Sequence, residues 1–388
     1  MSMAREAYIT GIGQSAISIR ATRSPFLLTL DAIREALDES GLTLTDIDGV
    51  STYPGQSNMP PGYSPVGATD LIDGLKLNVR WFAGGHEISS QLGAVELASA
   101  AVKAGLARHV ICYRTVYEAA ALSRPDEFPQ AMGSGRISGY PQWMMPFGAL
   151  SASTWVATYA MRHMKKYGLT REQLAQIALT DRANALLNPR ALVREPLTMD
   201  QYMEARMISD PLCLFDCDRF TDASTVLIVS AGDALGDMKC TPVRIAASAY
   251  ANNNFSWDQP EWMAAYSTGE ALWQKTDYAP KDVNTVQLYD GFSFLTLTWL
   301  EGLGFCNKGE AGQFIEGGHR IALDGELPLN TYGGQIGAGR LHGFGCAHEA
   351  VVQLRGNGGQ RQIKGDPKVA VATSGGGPMA TALLLARD

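Results

Sequence analysis

The chain has no block of Lys and Arg, no apolar run long enough to cross a bilayer, and no cysteine pair at a metal-ligand spacing. Each absence removes a class of function. With a net charge of −7 over 388 residues and only 18% charged residues, nothing supplies the clustered cations that phosphate backbones require, so nucleic acid is not an expected partner. Without a run of about 18–20 apolar residues there is no candidate membrane span, and the opening "MSMAREAYITGIG" has no charged-then-apolar leader. A cytoplasmic protein is expected. The cysteines are few, six in all. Cys213 and Cys217 lie four apart in "CLFDC", with no second pair or nearby histidine to complete a metal site. Free thiols and no metal are expected.

What is present is glycine in the wrong place for simple packing. "TYGGQIGAGRLHGFG", residues 331–345, holds six glycines in fifteen positions, around Arg340 and His342. Ordering glycine is entropically costly, so something must approach this loop closely. Elsewhere the hydrophobic content of 46% is enough for a large core. Strands and helices alternate. "AYITGIG" reads as a strand, and "SPFLLTLDAIREALDESG" as a helix capped by Ser24, begun at Pro25 and stopped at Gly41. "TDIDGVSTYPG" reads as the next strand. In the second part "TPVRIAASAY", "EWMAAYSTGEALWQKTDY" and "KDVNTVQLYDG" repeat the series. Ile9 and Ile245, Asp46 and Asp282, Val50 and Val286, Tyr53 and Tyr289, and Gly55 and Gly291 are all 236 residues apart, which points to duplication. Alternation of this kind implies a mainly parallel sheet with helices on its faces. Residues from about 115 to 220 break the pattern with two helical stretches, "STWVATYAMRHMKKYG" and "TREQLAQIALTDRANALLN". They read as an insertion placed over the sheet edge where ligands bind. The expected division is 1–235 and 236–388.

Several motifs in order resemble the thiolase superfamily, in the branch of the sterol-carrier-type thiolases and their lipid-transfer-like relatives. "LYDGFSF" stands in the place of that branch's "HDCFS", and "EGLGFCNKGEAGQFIEGG" is similar to "EALGLCPEGQG". "LNTYGGQIGAGRLHG" follows "NPSGGxxxxGHPxG", and "VVQLRGNGGQRQIKG" follows "xWQLRGEAGxRQV". "ATSGGGPMA" stands where thiolases have a cysteine before a glycine run. The resemblance implies an α/β thiolase fold: two similar βαβαβαββ halves in an αβαβα layering.

The chain departs from the family where the family does chemistry. Between Gly84 and Leu92 no cysteine replaces the expected nucleophile; His86, Ser89 and Ser90 are there instead. Arg340 falls at the expected histidine of the glycine loop, with His342 two residues later. Thr373 or Ser374 stands at the second cysteine. Acyl-enzyme chemistry is therefore not expected, because no partner base for a serine is visible. The glycines of 331–345 and 374–378, among them Gly334, Gly339, Gly343 and Gly376, would instead turn backbone N–H groups toward a thioester oxygen.

The best-known members of this branch are aldol lyases of steroid side-chain breakdown, which the chain resembles. They cleave a β-hydroxyacyl-CoA to a ketone and a shorter acyl-CoA without a covalent intermediate. On that reading Tyr289, at a strand end, is the first candidate for proton transfer, provided a cation such as Arg340 favours its phenolate; otherwise it is a hydrogen-bonded strand-end tyrosine. Asp290 orients Tyr289 or His342, or caps the next turn. His342 is a candidate acid or donor. Tyr250 and His86 are further candidates, and His348 reads as structural. Arg340 contacts either coenzyme A phosphates or a buried carboxylate. Phe344 is a substrate contact at a position where the lyases tend to carry a catalytic tyrosine. "PQWMMPFGAL", residues 141–150, reads as pocket lining or as core. The alternatives to a lyase are a non-catalytic acyl-CoA or lipid carrier and a thiolase-like acyltransferase. The resemblance also implies a homodimer, a partner subunit with an OB fold and often a zinc ribbon, and coenzyme A as part of the substrate with no bound cofactor.

Overall fold

The computed structural model describes residues 6–57, 60–85, 90–124, 142, 145–149, 151–236, 238–253 and 263–388. The first half runs β1 (Ala7–Gln14), α1 (Pro25–Ser40), β2 (Gly49–Thr52), α2 (Ala68–Leu75), β3 (Trp81–Gly84), α3 (Gly93–Lys103) and β4 (His109–Tyr117). The break in the pattern is α4 (Glu118–Ser123), α5 (Ala152–Tyr167), α6 (Arg171–Leu187), α7 (Met199–Met203) and the small ladder of β5 (Met207–Ser209) and β6 (Leu212–Cys213). The half closes with β7 (Asp222–Ala231). The second half runs β8 (Val243–Asn252), α8 (Ala264–Trp273), β9 (Thr285–Gln287), α9 (Ser293–Gly302), α10 (Ala311–Phe314), α11 (Phe344–Leu354), β10 (Val369–Gly375) and β11 (Met379–Ala386).

The local signals act as written. The Ser24 hydroxyl accepts the Leu27 N–H and Gly41 ends α1 at φ 81°. Thr170 and Gln173 form a reciprocal cap on α6. Nine strands form one mixed sheet in the order β3-β2-β4-β7-β1-β8-β11-β10-β9. The order is mirrored about the β1–β8 junction, where Tyr8 faces Arg244 and Ile9 faces Val243. The corresponding first strands of the two halves thus pair at the centre of the sheet. On the second-half side the mirrored third strand is reduced to one parallel bridge between Val286 and Leu329. The chain passes from that bridge straight into the glycine loop.

Three main cores separate the layers. One lies under α1 and α2, one under α8 and α9, and the middle one takes residues from α3, α11 and strands of both halves. Helix α11 touches β7 as well as β10, and is buried along its whole length. That is the αβαβα stacking, with α3 and α11 as the inner layer. Phe344 is fully buried in this middle core, which also holds Tyr53 and Ala347. Its ring is therefore part of the packing and not the substrate contact expected from the sequence.

Candidate active site: a retired nucleophile corner beside a charged cluster

The glycine loop is held by the inserted helix α6. Asn184 Nδ2 donates to the Leu329 carbonyl at 2.8 Å, Asn188 Nδ2 donates to the Tyr332 carbonyl at 2.8 Å, and the Leu192 and Val193 N–H groups reach Ala338 and Gly337. Side chains on the loop would collide with what is already there. A Cβ on Gly334, at φ 60°, would lie 2.2 Å from Asp290 Oδ2; one on Gly339 would lie 2.6 Å from Thr221 Cγ2. On Gly343 it would meet Ser374 Cβ at 2.4 Å, and on Gly376 the Trp299 Nε1 at 2.9 Å. Packing alone therefore requires glycine at these four positions, because the protein's own neighbours fill the space a side chain would need.

Asp290 is corrected too. It is fully buried, its Oδ2 accepts the Ile336 N–H at 3.1 Å, and its carboxyl faces that of Asp181 from α6. Burial pushes both carboxyls up, and the charge of Asp290 raises Asp181 further. Asp290 holds the loop turn; it does not orient Tyr289 or His342.

Two of the candidate positions for the family's cysteines, Ser90 and Ser374, come together. Ser90 Oγ lies 2.7 Å from Ser374 Oγ and 3.1 Å from Thr381 Oγ1, and Ser374 Oγ accepts the Leu92 N–H at 3.0 Å. Ser90 keeps φ 67° at the entrance to α3, a conformation unusual for a residue with a side chain. The elbow remains, but among the described residues the serines bond only to hydroxyl and backbone groups, and no base among those residues bonds to them. Tyr250, a further candidate from the sequence, lies on β8 opposite Thr381 and is 56% exposed. His86 lies outside the described residues, as do several residues of the 141–150 stretch.

On the other side of Gly343 is a cluster rich in charge. His342, at φ 49°, gives its N–H to Gln335 Oε1 at 2.7 Å. Its Nδ1 is 3.0 Å from Arg114 Nη2, and its Nε2 is 3.9 Å from Glu118 Oε2. The Arg114 guanidinium sits 4.5 Å over the ring of Tyr63, whose ring centre is 5.2 Å from that of His342. Arg340 does not contact an open phosphate site. Its Nε donates to Asp218 Oδ2 at 2.8 Å, its Nη1 to Glu118 Oε1 at 3.3 Å, and it covers the ring of Phe220. Of the two readings of Arg340, the buried-carboxylate one is correct.

Environment sets the protonation states. Burial, reinforced by Arg114 and Arg340, holds His342 well below its ordinary range, so the ring is neutral. Burial pushes the Tyr289 phenol well up, Asp218 adds to this, and Arg340 only partly opposes it because two carboxylates already claim its charge. Tyr289 is therefore a neutral donor, not the phenolate base expected. Burial, against the pull of Arg340 and Arg114, raises Glu118 to about 7. Glu118 and Arg114 escaped the sequence reading. Neither sits in a motif, and their distance from His342 in the chain hides the contact. The usable signal was their place: consecutive charged residues at the end of an otherwise apolar buried strand.

The fold, with serine at the candidate positions Ser90 and Ser374, defines a thiolase-fold protein. Residues 247–386 match the family model described as thiolase C-terminal domain-like. A steroid side-chain-cleaving aldolase of Thermomonospora curvata is 32% identical, covering 98% of each chain. A 17-hydroxy-3-oxo-4-pregnene-20-carboxyl-CoA lyase of Mycobacterium tuberculosis is 33% identical over 90% of this chain and 92% of its own. The solved structure named Ltp2-ChsH2(DUF35) aldolase superposes with a TM-score of 0.86 at 30% identity, over 99% of this chain and 98% of that one. The chain belongs to the thiolase superfamily, in the aldolase branch that these relatives represent.

Proposed function

We propose that the chain is an acyl-CoA lyase that breaks the Cα–Cβ bond of a β-hydroxyacyl-CoA by retro-aldol chemistry, with a steroid bearing the side chain. The observation that carries this reading is the pair of serines bonded to each other at the sulfur positions, beside a cluster that keeps donors, a titrating carboxyl and a cation. Such a cluster suits an enolate, and no acyl-enzyme is required. Glu118, whose Oε2 has no hydrogen-bond partner among the described residues, takes the β-hydroxyl proton. The hydroxyl carbon becomes a ketone as the Cα–Cβ electron pair moves into the thioester, giving its enolate. The His342 and Tyr289 donors stabilise the enolate oxygen, and Glu118 returns the proton to Cα. Coenzyme A enters and leaves as part of the substrate and product, and no other cofactor takes part in these steps.

Edge strand β3, with Phe82 54% exposed, supports a homodimer formed by extending the sheet across two copies. The two-component name of the solved relative supports a second subunit, for which an OB-fold, zinc-ribbon protein is our proposal. Among the described residues no helix is long and apolar enough to cross a membrane, and we propose a cytoplasmic site of action. The test is incubation with a 17-hydroxy steroid 20-carboxyl-CoA thioester, followed by mass spectrometry. Release of a ketone and a shorter acyl-CoA is expected. Tight binding without turnover would instead identify a carrier, and an acyl adduct in the intact mass would identify an acyltransferase.

A further inference from the structure

One buried cation in the cluster has no counter-ion among the described residues. Arg114 is 1% exposed, and among the described residues no carboxylate lies within 4 Å of it. Its hydrogen bonds go to the Thr115 carbonyl at 3.3 Å and to His342, and its Nε has no partner among the described residues. Burying a guanidinium on such terms is costly, and a structural role alone would be served better by an apolar residue of the same size. Arg340 offers the contrast. It is just as central, but two carboxylates neutralise it.

Arginine has only donors, so the contact between Nη2 and Nδ1 has a single sense. Nδ1 accepts, and the proton of the neutral ring lies on Nε2. We propose that Arg114 is a positioning residue for the cleavage: it locks His342 as the neutral Nε2–H tautomer and polarises that N–H toward the enolate oxygen. The inference rests on the lyase reading. No proton leaves His342 in the step; the ring donates a hydrogen bond while the enolate charge develops and recedes. A neutral imidazole fixed in this way is a better donor than a free one, because the cation on Nδ1 withdraws charge from the ring. The charged and titratable groups around the ring are Arg114 from β4, Glu118 from α4, Tyr63 from the segment before α2, and Arg340 from its own loop.

The test reads the tautomer directly. Protein carrying ¹⁵N-histidine is examined by long-range ¹H–¹⁵N NMR, with the His342 signal assigned from His342→Gln. The wild type is expected to show protonated Nε2, unprotonated Nδ1 and no titration between pH 5 and 8. In Arg114→Met the ring should become a tautomer mixture that titrates at a higher pH than in the wild type, yet still below the ordinary histidine range, because burial and Arg340 continue to oppose its charge. Its lyase kcat should fall about 10–100-fold, with KM within about 3-fold and the acid limb of its pH profile displaced upward with the ring. Arg114→Lys, which still carries only donors, should restore the Nε2–H form. A wild-type spectrum with the proton on Nδ1 overturns the proposal. So does an Arg114→Met protein that keeps the wild-type tautomer and pH profile. If Arg114→Met does not fold, the wild-type and Arg114→Lys spectra decide. A locked tautomer in a wild type that cleaves no β-hydroxyacyl-CoA refutes the lyase reading, and leaves the Arg114–His342 lock standing.

Discussion

Two regions on either side of Gly343 differ in how completely their polar atoms are satisfied. In the Ser90–Ser374–Thr381 corner, hydroxyls bond to hydroxyls and to backbone, and the groups are neutral. In the Arg114–His342–Glu118 cluster, three buried atoms, Arg114 Nε, Glu118 Oε2 and Gln335 Nε2, have no partner among the described residues. Native interiors rarely leave such atoms unpaired without reason. The saturated corner is what remains of a nucleophile site after its sulfur is replaced. The unsaturated cluster is where a reacting molecule has something to bond with.

The largest expected effect lies in the cluster. His342→Ala should lower lyase kcat by about 1,000-fold, the cost of removing a preorganised donor to a developing oxyanion, measured by steady-state kinetics on a β-hydroxyacyl-CoA. A loss under 10-fold would move the chemistry elsewhere.

Arg340→Met tests the scaffold beneath it. It leaves Asp218 and Glu118 buried without their cation, and should cost about 3–5 kcal/mol in denaturant unfolding. That sharpens the contrast with Arg114→Met, where no buried carboxylate is stranded and stability should hold.

Glu118→Gln should lower kcat by about 100-fold and remove the limb of the pH profile near 7. The same group links pH to stability. The folded carboxyl keeps its proton up to about 7, while an unfolded glutamate releases it near ~4.3. The stabilising proton is fully bound below the lower value and is lost as pH rises through the upper one. Thermal unfolding of the wild type should therefore weaken across that window more steeply than that of Glu118→Gln.

The smallest effect belongs to the serine corner. Ser90→Ala should leave kcat within about 3-fold and lower stability by about 1 kcal/mol, the worth of its hydrogen bonds. A large loss of activity there would erase the distinction between the two regions.

Much of the scaffold was legible because its causes are local or repeated. Ser24, Pro25 and Gly41 bound α1 by themselves, and the fixed spacing of Tyr53 and Tyr289 announced two related halves before any strand was paired. The glycine loop and His342 were also visible as a locus of chemistry. Gly333, Gly334 and Gly337 owe part of their necessity to α6, more than a hundred residues away, whose Ala185 and Asp181 occupy the space that side chains would need. The alternatives for Asp290 and Tyr289 stayed open in the sequence for the same kind of reason. A partner from the insertion faces the first, and burial decides the protonation of the second.

The amino-acid order alone determined the duplicated α/β topology and the loss of both sulfurs, since helix caps, periodicity and residue identity act over a few positions. It could not determine which groups carry charge or where their protons lie. Those depend on desolvation and on neighbours brought together from distant parts of the chain, such as Arg114 and His342, 228 residues apart. Only the tertiary structure decided that Arg340 is paired with two carboxylates while Arg114 has none among the described residues, because only folding shows which guanidinium meets which carboxylate.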